Sequence, residues 1–337
     1  MIKKTILTTT TVGILLVALA TFVTPLNAEL QKLSEKSGEE LTVRVMTYNV
    51  CRGGTYWGQP LSQSAKMIKM AKADIVGLQE IGENVPKLAE LLGWNHSGPF
   101  LTRYEIIEEI KGISRRPSDG IKVRLTSGQE AYVFNNHLPH PPYQPYQLLG
   151  LTAGYRVYPK IDTEAEAIAG AKKTRGRFIT RLFKQIRTLP DQEAPVFVVG
   201  DFNEPSHLDW TEAAAKSGRH PMKVEFPTSL MMAQAGYIDA YRTVHPDEMA
   251  KPGFTWTPLK KADDPTIHHD RIDYVYFKGK GLKVTDAKVI GENKENADIV
   301  VSPYPSDHRS VVATLTLAKQ TKSGKPDTNK PNARDAK

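Results

Sequence analysis

From Leu41 onward the apolar residues switch period repeatedly, between two and three-to-four, as expected for strands alternating with helices. LTVRVMTYNV (Leu41–Val50) alternates and then stops at Cys51-Arg52-Gly53-Gly54, which predicts a strand closed by a turn. In SAKMIKMAKADIVGLQEIG, Met67, Ile68 and Ala71 share one side of a helix, and Ile75 to Leu78 form the next strand. AYVFNNHL predicts another strand. Residues 164–189 predict one long helix, because Ile179, Leu182, Phe183, Ile186 and Leu189 recur at helical spacing. Val196 to Val199 is short, mostly β-branched and bounded by Pro195 and Gly200, so it predicts a strand covered on both faces. RIDYVYFKG and HRSVVATLTLA supply late strands. There is no internal repeat, and no glycine-rich phosphate loop precedes a helix. The class is α/β.

The ends of these strands are unusual. Asn49, Glu80, His137, Asp201, Asn203, Asp273, Asp307 and His308 all fall at or near one. Ordinary turns favour Gly, Ser and Pro over His and Glu, so turn chemistry alone does not account for this set. Asp201 and Asn203 are two apart and would point to one face beyond their strand, where open α/β folds place their chemistry. An Asp/Asn turn after Gly200 is the other reading of that stretch.

Composition adds less than it first suggests. The 337 residues are 40% hydrophobic and 24% charged, which fits a globular chain with a sizeable core. The net charge of +8 includes Lys3 and Lys4 near the N-terminus and a net four positive charges after Ala318. Only about +2 remains between them, too little to argue for a surface that tracks nucleic acid. Met1–Ala28 has two lysines, an apolar stretch and a small-residue ending, so it is expected to be a secretory signal cut after Ala28. That places the protein outside the cell or in the periplasm, with no stable membrane insertion after cleavage. An uncleaved anchor is the competing reading. Residues 29–40 are expected to be a linker, 41–318 the folded domain, and 319–337 a disordered basic tail. Cys51 is the only cysteine, which excludes an internal disulfide and suits a small core residue.

The ordered segments MTYNV, GLQE, NNHL, GDFN, RIDYV and SDH together resemble the endonuclease/exonuclease/phosphatase superfamily. The resemblance runs from about Leu41 to Ala318. It implies a four-layer α/β sandwich, two packed mixed β-sheets flanked by helices, acting as a monomer on a phosphoester. Nucleic acid is one such substrate. Hydrolysis of a phosphodiester needs a hard cation, a base that orients water, and help for the leaving oxygen. Glu80 offers an oxygen ligand suited to Mg²⁺, with Mn²⁺ or Ca²⁺ as alternatives. The resemblance makes Glu80 the principal metal ligand, with Asn49 and Asp307 close by. It further implies that Asp201 holds or deprotonates water, Asn203 donates to a phosphate oxygen, and His137 stabilises charge from the opposite side. His308 is the imidazole beside Asp307, with Asp273 expected to be the acid that orients it and Asp270 the alternative.

Several positions stay open. His268 and His269 are expected to be solvated loop residues. Trp256 is core packing or a substrate contact, and Tyr104 is a structural strand residue. The Pro- and Tyr-rich loop at residues 139–159 is long, so Tyr143, Tyr146 and Arg156 are expected to border the substrate pocket; packing of the tyrosines on the scaffold is the alternative. The leading function is a nuclease or phosphodiesterase. The alternatives are a phosphatase or phospholipase C-like hydrolase, and a binding protein that kept the fold without the chemistry. No apolar hairpin tip of the kind a sphingomyelinase needs is visible in the sequence.

Overall fold

The alternation at Leu41–Asn49 becomes a division between two cores. Val43 and Val45 point into one apolar cluster, while Met46, Tyr48 and Val50 point into another. The computed structural model describes residues 41–111, 120–152, 157–261 and 263–318. The expected signal, linker and tail, and Arg156, lie outside the described residues. Among the described residues no helix is long and apolar enough to cross a membrane.

One sheet has seven strands, in the order Ile299–Val300, Leu282–Gly291, Ser310–Leu317, Leu41–Asn49, Ile75–Gln79, Phe100–Thr102, Asn95–Ser97. The other has six, in the order Glu105–Ile110, Gly120–Arg124, Glu130–His137, Val196–Asp201, Asp273–Lys278, Ile238–Asp239. Val43, Val45 and Ile75 from the first meet Val133, Phe197, Val199 and Val275 from the second. The outer face of the first sheet packs on Met67, Ile68 and Leu88 of the helices Leu61–Met70 and Val85–Leu92. The outer face of the second, with Tyr132, Phe134 and Val198, packs on Ile179 and Leu182. The result is a four-layer α/β sandwich of two mixed sheets between helices. Burying each such aliphatic or aromatic side chain contributes about 1.5–3 kcal/mol.

Two glycines let the central strands come together. A Cβ at Gly77 would stand 2.3 Å from Val199 Cγ2 across the sheets, and one at Gly200 would stand 2.1 Å from the Asn136 carbonyl oxygen. Beside them polar bonds cross between the sheets. Gln79 Nε2 donates to Asn135 Oδ1 at 2.6 Å, and Asn135 Nδ2 donates to the Leu78 carbonyl at 2.7 Å.

The single helix expected at 164–189 is instead Glu164–Ala171, a π-helical turn at Lys172–Gly176, and Arg177–Ile186. The buried positions explain the interruption. Ala167, Ala171, Arg175 and Ile179 are each four residues apart and all fully buried. In an α-helix each step of four over-rotates by about 40°. A wider π turn absorbs part of that drift and keeps Arg175 facing inward. Tyr104 also departs from expectation: it lies in the bend between Phe100–Thr102 and Glu105–Ile110, where it packs against the inter-sheet core. Cys51 is buried, as expected; burial and the nearby Asp307 carboxylate keep its thiol protonated.

Candidate active site

Strand pairing delivers the polar termini to one level. Asn49 pairs with Gln79 across parallel strands, so Asn49 and Glu80 emerge together. His137 pairs with Asp201 in the other sheet, and Asp273 pairs with Asp201 from the opposite side. Ser306 donates to the Asn49 carbonyl at 2.6 Å and accepts from the His308 N–H, which ties the SDH turn to the first sheet. Glu80 and Asn203 have φ of 59° and 49°, a left-handed conformation that costs a non-glycine residue about 1–3 kcal/mol.

Asp201 sits at the centre, 1% exposed. Its Oδ1 accepts from the Asn203 N–H at 2.8 Å, and its Oδ2 accepts from the amides of Asn49 and Asn203, each at 3.1 Å. That same Oδ2 lies 3.5 Å from His137 Nε2 and 3.7 Å from His308 Nε2. Asn49 Nδ2 also reaches Glu80 Oε1 at 3.4 Å, and His137 Nε2 lies 3.9 Å from that oxygen. Glu80, Asp201 and both imidazoles therefore surround one small volume. Asn203 donates to the Leu138 carbonyl at 3.0 Å as well as to Asp201, so reaching a phosphate oxygen would require exchanging one of these bonds.

The acid that orients His308 is Asp273, which accepts from Nδ1 at 2.9 Å. Burial opposes the charge on His308, but the carboxylates of Asp273 and Asp201 outweigh it and hold the ring protonated. Asp270 has another task. It accepts from Tyr143 Oη at 2.6 Å and from Trp210 Nε1 at 2.8 Å.

A cavity of about 340 Å³ opens over this group. Glu80, His137, Asp201, Asn203, Asp307 and His308 line it together with Tyr143, Tyr146, Trp256, Ile272 and His140. Trp256 Nε1 donates to Tyr146 Oη at 3.0 Å, and its ring centre is 5.0 Å from that of His308. Tyr143 and Tyr146 thus both border the cavity and pack on the scaffold, the first through its bond to Asp270 and the second through its bond to Trp256. His268 overturns its expectation of a solvated loop residue. It packs edge-on to Trp210, 5.6 Å between ring centres, and its Nε2 is 2.9 Å from His220 Nδ1. His269 turns to other partners, Nε2 lying 3.1 Å from the Lys261 carbonyl.

Two residues behind the wall were not singled out from the sequence. Arg175 is fully buried and donates to Gln144 Oε1 at 2.7 Å and to the carbonyls of His140 and Pro142, which fixes the start of the tyrosine loop. Glu204 lies 3.5 Å from it and accepts from the Thr228 N–H at 2.7 Å. Burial raises the Glu204 carboxyl, and Arg175 partly offsets that. Arg175 had a readable signal, since it stands four residues before Ile179 on the apolar side.

Glu80 and Asp307 supply oxygen donors, which suit a hard divalent cation. Asn49 instead turns Nδ2 toward Glu80 and its Oδ1 accepts from the Cys51 N–H at 3.0 Å, so its amide would have to turn over to join them. Asp307 Oδ1 is buried without a hydrogen-bond partner, as a ligand atom awaiting a cation would be.

Residues 46–308 match the sequence profile described as the Endonuclease/Exonuclease/phosphatase family. The chain is 30% identical over 301 residues to the uncharacterized protein F14F9.5 of Caenorhabditis elegans, covering 82% of this chain and 91% of that one. Its fold is similar to that of D. rerio TDP2, solved with a single-strand DNA product (TM-score 0.51, 16% identity, 81% and 98% coverage). It is also similar to an AP endonuclease from Archaeoglobus fulgidus (0.50, 18%, 80% and 98%). An endonuclease/exonuclease/phosphatase from Beutenbergia cavernae DSM 12333 is comparable (0.50, 17%, 83% and 72%). The match runs from the first central strand to the SDH turn and takes in every strand end described above: this chain belongs to the Endonuclease/Exonuclease/phosphatase family, whose members are divalent-metal-dependent phosphoester hydrolases.

Proposed function

We propose that this protein is a divalent-metal-dependent phosphodiesterase that directs water in line at the phosphorus of a compact phosphodiester. The observation that carries the reading is Asp201, a buried carboxylate with one oxygen within 3.7 Å of two imidazoles and beside the Glu80 oxygen set. Asp201 holds the attacking water and takes up its proton. His308, kept cationic by Asp273, faces the developing charge on the phosphoryl oxygens, and His137 does so from the Glu80 side. Glu80 and Asp307 would hold the cation, which when bound neutralises phosphate oxygens, while Asn49 steadies Glu80 and Asp201 through Nδ2. Mg²⁺ fits this donor set, with Mn²⁺ and Ca²⁺ as substitutes.

The aromatic wall supports the choice of a compact substrate. Tyr143, Tyr146 and Trp256 bound a cavity of about 340 Å³, the size of a small-molecule pocket rather than a long groove. The leader-like segment Met1–Ala28 supports an exported enzyme.

The test is hydrolysis of bis-p-nitrophenyl phosphate, sphingomyelin, RNA and plasmid DNA, each with and without chelator. Chelator-sensitive cleavage of the small diester is expected, lost in Asp201→Ala and His308→Ala. Wild-type rates in both variants would sink the mechanism. Preference for plasmid DNA would sink the compact-substrate reading while leaving the mechanism standing.

A further inference from the structure

Behind the aromatic wall a second group of ligand-type side chains converges, sharing no residue with the Glu80 set or with the Asp201 group. His220, His268 and Asp270 each offer one donor atom, and the three atoms lie within 4.8 Å of one another. His268 and Asp270 are two apart on the irregular stretch leading to Asp273–Lys278, and His220 follows the helix Glu212–Lys216. His220 Nδ1 is 2.9 Å from His268 Nε2, which is 3.9 Å from Asp270 Oδ1. His220 and Asp270 are buried, while the His268 side chain keeps 14% exposure and so leaves a way in.

We propose that His220, His268 and Asp270 form a second metal site that takes a zinc-type transition ion. Two imidazole nitrogens with one carboxylate oxygen favour zinc and its neighbours over magnesium or calcium. Donors bound tetrahedrally at about 2.0–2.1 Å stand roughly 3.3–3.4 Å apart. The observed 2.9 and 3.9 Å bracket that value and no separation exceeds 4.8 Å, so rearrangement of up to roughly an ångström completes the site. The groups around the donors are also those that orient metal ligands. Trp210 stacks on His220, with ring centres 4.2 Å apart and planes 11° from parallel, and donates through Nε1 to Asp270 Oδ1. Tyr143 donates to Asp270 Oδ2.

Without an ion, one hydrogen bond joins the two rings and one facing nitrogen carries its proton. Binding moves that proton to the same ring's other nitrogen, so both imidazoles stay neutral, and their two facing lone pairs and the carboxylate take the ion. Because Asp270 also holds Tyr143, the ion steadies the pocket wall and takes no part in the phosphoryl chemistry. The proposal therefore does not depend on the enzyme being a phosphodiesterase.

The test uses the full chain, stripped with chelator, re-equilibrated in excess Mg²⁺ and then titrated with Zn²⁺. Retained metal is measured after desalting, and Co²⁺ is substituted for its absorption spectrum. About one equivalent of zinc is expected, with a Co²⁺ spectrum of low coordination number. His268→Gln and His220→Asn should each weaken binding by at least about tenfold to a hundredfold, whereas Glu80→Gln and His308→Gln should retain the ion. Failure of the wild-type chain to hold zinc, or equal retention by His268→Gln, overturns the site. Loss of zinc in Glu80→Gln or His308→Gln rather than in His268→Gln assigns the ion to the phosphoester site and equally refutes the proposal. Should His220→Asn fail to fold, the partly exposed His268→Gln decides.

Discussion

Exchanging Asp273 for asparagine removes one charge and almost no volume, which makes it a direct test of how His308 works. The carboxylate accepts from Nδ1 at 2.9 Å, and both side chains are buried, at 1% and 5% exposure. An amide oxygen in that place can still accept the bond but no longer favours the imidazolium, leaving Asp201 as the nearest charge to support it. A positioned acid–base group contributes about 10²–10⁴-fold to rate, or about 2.7–5.4 kcal/mol of barrier at 1.36 kcal/mol per decade. With Asp201 still in place, kcat should fall by about 10²–10³-fold, toward the lower end of that range. KM should stay within about threefold, because Asp273 stands behind His308 and does not line the cavity. The assay is steady-state hydrolysis of bis-p-nitrophenyl phosphate in saturating Mg²⁺, with circular dichroism and a melting curve to confirm the fold. Asp270→Asn serves as the comparison. It touches Tyr143 and Trp210 but not His308, so its main effect should fall on KM. The Asp273→Asn/His308→Gln double variant should be no slower than His308→Gln alone, since the pair acts as one unit. An unchanged kcat in Asp273→Asn, or an equal kcat loss in Asp270→Asn, refutes the reasoning.

Three further outcomes are expected. Tyr146→Ala removes the partner of Trp256 Nε1 and should alter the relative rates on different phosphoesters by about tenfold or more, as a lost contact of about 1.4 kcal/mol does; identical ratios across the panel would count against the wall. Arg271 is buried and bonded to Asp209 and Asp239, so Arg271→Leu leaves two buried carboxylates short of a partner. It should lower stability by about 3–5 kcal/mol in a urea titration, and an unchanged midpoint would contradict this. Burial opposes ionisation of Asp209, but Arg271 and Arg242 outweigh it and hold its carboxyl low. The depressed folded value means this stabilisation is present above the ordinary carboxylate pKa of about 3.9 and is lost as pH falls through the folded value. Acid unfolding should therefore begin below about pH 4 in the wild type and at higher pH in Arg271→Leu, and coincident acid curves would argue against the pair.

The strand ends were legible because sheet geometry is local. A polar residue directly after an apolar run of period two has one place to go, so Glu80, His137 and Asp201 could be placed without knowing their neighbours. Choosing between Asp270 and Asp273 required knowing which strand lies beside Val196–Asp201, a fact about pairing that no local pattern holds. His268 was misjudged for a similar reason. Its cover is Trp210, fifty-eight residues earlier in the chain, and an aromatic lid from that far away leaves no trace in HHDRIDY. The π turn lay between these extremes: the four-residue spacing through Arg175 is present in the sequence, but a cation at such a position ordinarily faces solvent, and its buried partners lie elsewhere in the chain.

The contact of Gly77 with Val199 has a consequence for evolution and engineering alike. Asn49, Glu80 and His308 hang from one sheet, while His137, Asp201 and Asp273 hang from the other, so the spacing of the candidate site follows the gap between two slabs. A methyl group added at Gly77 would meet Val199 Cγ2 at 2.3 Å and Asn135 Oδ1 at 3.0 Å, so the sheets must give there and the strand ends beyond must shift with them. Variants of this core should go silent well before they melt, and a screen for activity would report on packing that a screen for solubility cannot see.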